Sequence, residues 1–315
     1  MKMNNNSVTT ATLLIVIVLT GTATAGVSVW AANLFGTSGP DTIVGTDEDD
    51  TIFGLEGNDN LSGKGGDDYI DGDVGNDEIN DGLGSDVVRA GSGDDVIKVA
   101  GADKGVGEED GVDKVYGGKG KDNINRALIF GGQVEGTLLI FGEANDDTLI
   151  TGGDNQRGQM YGGTGNDFIS TCCDADFDVW GGPGNDEIHG SSECAIDRAF
   201  GESGNDRIVQ LRFGSGGPGN DIIEFTDCGG VAYGDSGDDE LRGHDLSSPL
   251  ELHGGSEDDI VDGADGDDEL FGDDGDDTLE GEIGTDFFSC GTGIDTITDF
   301  NAAEGDTKTA DCENF

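Results

Sequence analysis

Gly54-Leu55-Glu56-Gly57-Asn58-Asp59-Asn60-Leu61-Ser62 is the stretch whose reading decides the fold. It has the form G-x-x-G-x-D-x-U-x, with U a large apolar residue. The nine-residue unit starts at Gly36 and restarts at Gly45, Gly54, Gly63, Gly72, Asp81 and Ala90 without a slip. Only x-U-x is free to form a strand, and strand side chains alternate, so the central residue points inward and its neighbours face solvent. One inward residue cannot support a free-standing sheet. Coils stacked about 4.8 Å apart turn such single residues into two facing ladders. The other six residues must reverse the chain, and glycine at the first and fourth positions is expected to supply the positive φ that a tight turn needs.

The lattice extends along most of the chain. Twenty aspartates hold the sixth position: Asp41, Asp50, Asp59, Asp68, Asp77, Asp86, Asp95, Asp113, Asp122, Asp147, Asp167, Asp186, Asp206, Asp221, Asp239, Asp259, Asp268, Asp277, Asp286 and Asp295. The eighth position is apolar in all twenty units, and the fourth is glycine in seventeen, with Glu48, Asn145 and Glu257 as the exceptions. Disordered low-complexity sequence does not hold three columns in register.

Three zones follow. Residues 36–125 keep a strict nine-residue phase, through a weak unit at 99–107 that lacks the motif. In residues 126–253 consensus turns recur at Gly142, Gly162, Gly181, Gly201, Gly216, Gly234 and Gly254, in steps of 15 to 20 residues. Each step there is read as two half-turns, one with the motif and one variable. Residues 254–298 restore the strict phase, and 299–315 form a C-terminal cap.

The charge balance narrows the partners. The 315 residues carry 15 Lys+Arg against 68 Asp+Glu, a formal charge of −53. Such a chain repels itself and is a poor match for nucleic acid or an anionic membrane surface; divalent cations are its expected partners. A tight turn aims several backbone carbonyls at one point, and with aspartate oxygens this makes an all-oxygen site suited to calcium. At the N-terminus, Lys2, the apolar run Leu13–Leu19 and Ala23-Thr24-Ala25 read as a cleaved signal peptide over residues 1–25, with a linker at 26–35. An uncleaved anchor is the rival reading, and its apolar run is short for a bilayer span.

These repeats resemble the hemolysin-type (RTX) calcium-binding nonapeptide family. The resemblance implies an all-β, right-handed parallel β-roll, with calcium held by turn carbonyls and by the twenty sixth-position aspartates. Same-side pairing of units gives about a dozen ions. Asp81, Ala90, Glu108 and Cys290 depart from the pattern at the first position, which puts the sites using those turns in doubt. The reading is a secreted, extracellular or cell-surface calcium-binding protein that is not an enzyme and folds on calcium. An adhesin or carbohydrate binder is the alternative, and a secreted hydrolase a third.

If every second half-turn of the middle zone lacks the motif, one flank keeps its calcium column and the other needs a different stabiliser. Cys172, Cys173, Cys194 and Cys228 fall in the metal-free segments, so Cys194 is expected to bond to Cys172 or Cys173, with Cys228 taking the remaining one. Cys290 and Cys312 are the natural pair to pin the tail. Tyr116, Phe141, Tyr161, Trp180, Phe200, Tyr233 and His253 each follow an inward residue and should form an outward stripe, either a ladder for glycans or a structural stack under longer loops. Gly234-Asp235-Ser236-Gly237 imitates a serine-protease signature but is the start of a repeat, and the three histidines, His189, His244 and His253, are far apart in the lattice.

Overall fold

In the computed structural model, which describes residues 31–99, 112–126, 137–152, 157–171, 176–190, 196–226, 229–244 and 248–312, each unit contributes one strand. The signal-peptide segment, Glu108, and Cys172, Cys173, Cys194 and Cys228 lie outside the described residues. Successive strands alternate between a fifteen-stranded and a fourteen-stranded sheet, and neighbours pair in parallel. The described residues contain no helix. This is an all-β parallel solenoid, consistent with the right-handed β-roll.

Register follows the repeat. Ile52 lies beside Ile70 in one sheet and Leu61 beside Ile79 in the other, each pair eighteen residues apart. The eighth-position residues form the core, and Ile52, Leu61, Ile70, Ile79, Ile97 and Ile124 have no exposed surface. Each is one rung of a ladder that no single unit could bury.

Four details depart from the sequence reading. First, the strands are longer than x-U-x. Thr51–Glu56 has two buried residues, Ile52 and Gly54, so the first position of the next unit also faces inward. Second, no first-position glycine takes a positive φ; the left-handed residues are the second, such as Leu55 (78°), Lys64 (81°) and Asp73 (72°), and the fourth, such as Gly57 (138°) and Gly75 (143°). The first position needs glycine because of space: a Cβ on Gly162 would lie 2.4 Å from an Asp167 carboxylate oxygen and 2.5 Å from the Gly181 carbonyl oxygen.

Third, the register across the weak unit departs from the eighteen-residue spacing of the strict phase: Val88 pairs with Val115 and Ile97 with Ile124, both 27 residues apart. Fourth, residues 33–35, within the segment read as linker, are the first strand, because Leu34 takes the place of an eighth-position residue beside Ile52.

The fourth-position column is where backbones approach closest. A Cβ on Gly184 (φ 150°) would meet the Gly165 carbonyl oxygen at 1.5 Å, whereas a Cβ on Gly39, in the first turn, would meet nothing within 4 Å. Gly184→Ala is expected to cost about 1–3 kcal/mol through backbone strain and overpacking. Gly39→Ala should leave the thermal midpoint unchanged, and equal losses in a melting experiment would refute the assignment.

Candidate metal centre

The sixth-position aspartates stand where a turn enters a strand, and the coil stacks them. Asp41, Asp59, Asp77, Asp95, Asp122, Asp147 and Asp167 begin one column. It continues without a break through Asp186, Asp206, Asp221, Asp239, Asp259 and Asp277 to Asp295. Along it, the backbone N–H of each aspartate donates to Oδ1 of the aspartate one coil later, at 2.7–3.0 Å. The second column is interrupted: Asp50, Asp68, Asp86 and Asp113 form its first part, Asp268 and Asp286 its last. The expectation that one flank keeps its column and the other loses it matches this geometry.

The second oxygen of each carboxylate carries the chemistry. Oδ2 of Asp59, Asp68, Asp77, Asp86, Asp95, Asp122, Asp147, Asp167, Asp186, Asp206, Asp221, Asp239, Asp259, Asp268 and Asp277 is buried and has no hydrogen-bond partner. Leaving a buried acceptor unmade is costly, more so for a charged one. Except at Asp86 and Asp95, whose units begin with Asp81 and Ala90, each Oδ2 points into the space that a first-position glycine leaves. At Gly234, for example, Asp239 Oδ2 and the Gly254 carbonyl oxygen both lie 2.3 Å from the position a Cβ would take. A carboxylate oxygen and a carbonyl from the next coil thus converge on one cradle, a donor set of the hard-oxygen kind that calcium takes. Among the described residues no three His, Cys, Asp or Glu side chains gather as a metal cluster, so an ion here would draw heavily on the backbone.

Because the cradle uses a carbonyl, the first-position departures keep their contribution. The carbonyl oxygens of Asp81, Ala90 and Cys290 reach the cradles of Gly63, Gly72 and Gly272 at 2.1, 2.5 and 2.6 Å. The first two turns differ in another way. Thr37 N–H donates to Asp41 Oδ2 and Thr46 N–H to Asp50 Oδ2, both at 2.5 Å, so the protein already satisfies those oxygens. At the far end Asn301 N–H does the same for Oδ2 of Asp306, at 2.7 Å. Asp306 is a further member of the second column, for Asp286 N–H donates to its Oδ1. Its unit falls outside the motif because Lys308 stands where the apolar residue should be.

A further ladder also went unread. The fifth-position side chain accepts the N–H of the fifth position one coil later, as in Asn166 to Asn185 and Asn185 to Asn205, both 2.8 Å. The signal was present, since this position is Asn or Asp in most units. It runs opposite in sense to the sixth-position ladder, so each turn is tied to both neighbours.

The aromatic stripe is a stack. Tyr116, Phe141, Tyr161, Trp180 and Phe200 follow one another with ring centroids 4.5–5.6 Å apart and planes within 14°. Phe213 is tilted between Phe200 and Tyr233, and the stack resumes through Tyr233, His253 and Phe271. Arg89 covers the free face of Tyr116. Neighbouring rings therefore occupy one another's faces, leaving mainly edges for any partner. At the tail, Cys290 and Cys312 form the expected disulfide.

The repeat now stands against known families. The model of the RTX calcium-binding nonapeptide repeat matches residues 35–70, 62–97, 159–171, 178–192 and 253–288, and those segments carry repeats of that type. No curated protein matches the chain.

Burial shifts the column carboxyls upward. Asp147 and Asp239 are pushed up to about 8, Asp68, Asp86 and Asp186 to about 7, and Asp77 and Asp167 to about 6. Desolvation is the main cause; the backbone N–H donated to each opposes it, and neighbouring carboxylates add to it in most of them. A folded-state pKa above the unfolded value of about 3.9 means that the coil binds protons the unfolded chain has released. Stripped of metal, the coil should therefore be most stable near pH 4 and lose stability as pH rises towards 8. Circular dichroism of metal-free protein across that range tests this, and stability that rises with pH would overturn it.

Proposed function

We propose that this is a secreted calcium-binding β-roll protein whose folding depends on calcium and whose role is structural, at a cell surface or in the extracellular medium. The observation that carries the reading is the row of buried Oδ2 atoms without hydrogen-bond partners, most of them facing a carbonyl of the next coil across a glycine-sized gap. A bound calcium ion would supply the positive charge and the coordination that those oxygens lack. The chain's own part is to fix one oxygen of each carboxylate by a backbone N–H and to aim the other into the cradle. Binding free energy then becomes folding free energy, as in other metal-dependent modules.

The non-enzymatic part of the reading rests on the described histidines. His189, His244 and His253 each pair with a glutamate, Glu187, Glu224 and Glu251, at 2.8, 3.4 and 3.2 Å, a contact that serves the strand surface. Among the described residues no helix is long and apolar enough to cross a membrane. Secretion fits the Lys2 and Leu13–Leu19 signal and millimolar extracellular calcium. Glycan or matrix partners would have to engage ring edges and the acidic surface, and a glycan array tests for them directly.

Circular dichroism in EDTA should show a largely disordered chain, with a β spectrum appearing at calcium of about 10⁻⁴–10⁻³ M. A β spectrum that persists in EDTA at neutral pH would exclude calcium-dependent folding. Within that titration the two kinds of turn should separate. Asp167→Asn removes an open carboxylate and should raise the calcium midpoint several-fold, while Asp41→Asn, at an oxygen already bonded to Thr37, should move it little.

A further inference from the structure

The interrupted column poses a physical question. Coils from Thr137 to His253 lack sixth-position aspartates on one flank, yet their strands on that flank are among the longest in the molecule: Thr137–Ala144, Arg157–Thr164, Asp176–Pro183 and Ile196–Ser203 have eight residues each. The register shows what takes the aspartates' place. Leu138 lies beside Asp113, where the column stops, and Leu250 donates its N–H to Asp268 where it resumes. Between them Gly158 lies beside Leu138, Phe177 beside Gly158, and Ile196 beside Phe177. Leu138, Phe177 and Ile196 have no exposed surface, and Leu250 has 2%.

Where the substitute column has glycine, an aromatic ring fills the gap. A Cβ on Gly158 would lie 2.7 Å from Cε1 of Phe177, and one on Gly230 the same distance from Cε1 of Phe225. The outer face of the same strands carries the ring stack from Phe141 to His253. The flank therefore has apolar packing inside and stacked rings outside where its two ends have carboxylates facing cradles.

We infer that this apolar column and its ring stack replace calcium on one flank of the middle coils, so that the sheet from Thr137 to His253 holds together at calcium levels that no longer sustain the two-column ends. The argument is one of charge. In the ends, removing the cation uncovers buried carboxylates on both flanks. In the middle it uncovers them on one flank only, and among the described residues the other has no sixth-position carboxylate. A well-packed apolar column stabilises without a counter-charge, whereas a buried charge left without its partner is strongly destabilising.

The inference rests on the calcium-binding reading, and hydrogen exchange on the full chain separates the two. As calcium is lowered, amides of Thr51–Glu56, Tyr69–Val74 and Glu269–Asp274 should lose protection at a several-fold higher calcium concentration than those of Thr137–Ala144 and Arg157–Thr164. Simultaneous loss everywhere would overturn the inference while leaving calcium-dependent folding intact; full protection in EDTA would instead overturn calcium-dependent folding. Two variants at saturating calcium probe the column itself. Phe177→Ala and Trp180→Leu should each speed exchange in the middle strands on the order of tenfold or more, with the ends unchanged. Unchanged exchange in both variants would overturn the assignment, and so would an equal loss along the whole chain.

Discussion

Everything in this molecule depends on how one carboxylate divides its two oxygens. Oδ1 accepts the N–H of the aspartate one coil earlier, which fixes both the side chain and the stacking of the coils. In the units that open with glycine, Oδ2 is left pointing into a gap that exists because the first-position residue has no side chain there. The hydrogen bond satisfies the backbone, and the gap creates a site. Most described turns thereby hold a buried acceptor with no protein donor, an arrangement that is costly while the carboxyl is ionised and unaccompanied. Protonation relieves it at low pH, and a divalent cation relieves it where the carboxyls are ionised.

The first and last turns make the logic clearer by contrast. Thr37, Thr46 and Asn301 turn their N–H groups towards Oδ2 of Asp41, Asp50 and Asp306. Neither threonine adopts the left-handed φ seen at the equivalent Leu55, Lys64 and Asp73. The second-position conformation therefore distinguishes a turn that satisfies its own carboxylate from one that leaves it open. A left-handed non-glycine residue is unfavourable in itself, by roughly 1–2 kcal/mol, so its recurrence along the column marks a conformation that the rest of the turn imposes.

The coil, the two sheets and the aspartate columns were legible in the sequence because each rests on a strict spacing, and Ile52 or Asp59 can be assigned from its place in the unit alone. What was not legible had no such signature. The positive φ fell on Leu55 and Lys64, residues whose chemistry gives no hint of it, while Gly54 was needed for room and not for its backbone freedom. The weak unit at 99–107 keeps its length in the sequence, yet Val88 pairs with Val115, 27 residues on, because strand pairing counts inward side chains and not residues. Asp306 escaped notice behind Lys308 for the opposite reason: the hydrogen-bond ladder accepts an aspartate whose own strand has no apolar residue to follow it.

The middle zone shows where pattern reading runs out. The missing motif correctly marked a flank without sixth-position carboxylates, and cysteines were the visible candidates to stabilise it. Leu138, Phe177, Ile196 and Leu250 drew no attention, since isolated apolar residues in irregular segments carry no period. Only the register, which sets Leu138 beside Asp113 and Leu250 beside Asp268, reveals them as members of the aspartate column. A column position in this fold asks for one of two things, a carboxylate with a cation to face or an apolar side chain that needs none. Because the coil repeats its backbone whichever is chosen, a single chain can alternate between them along its length, and the proposed need for a cation is then a local property of each flank.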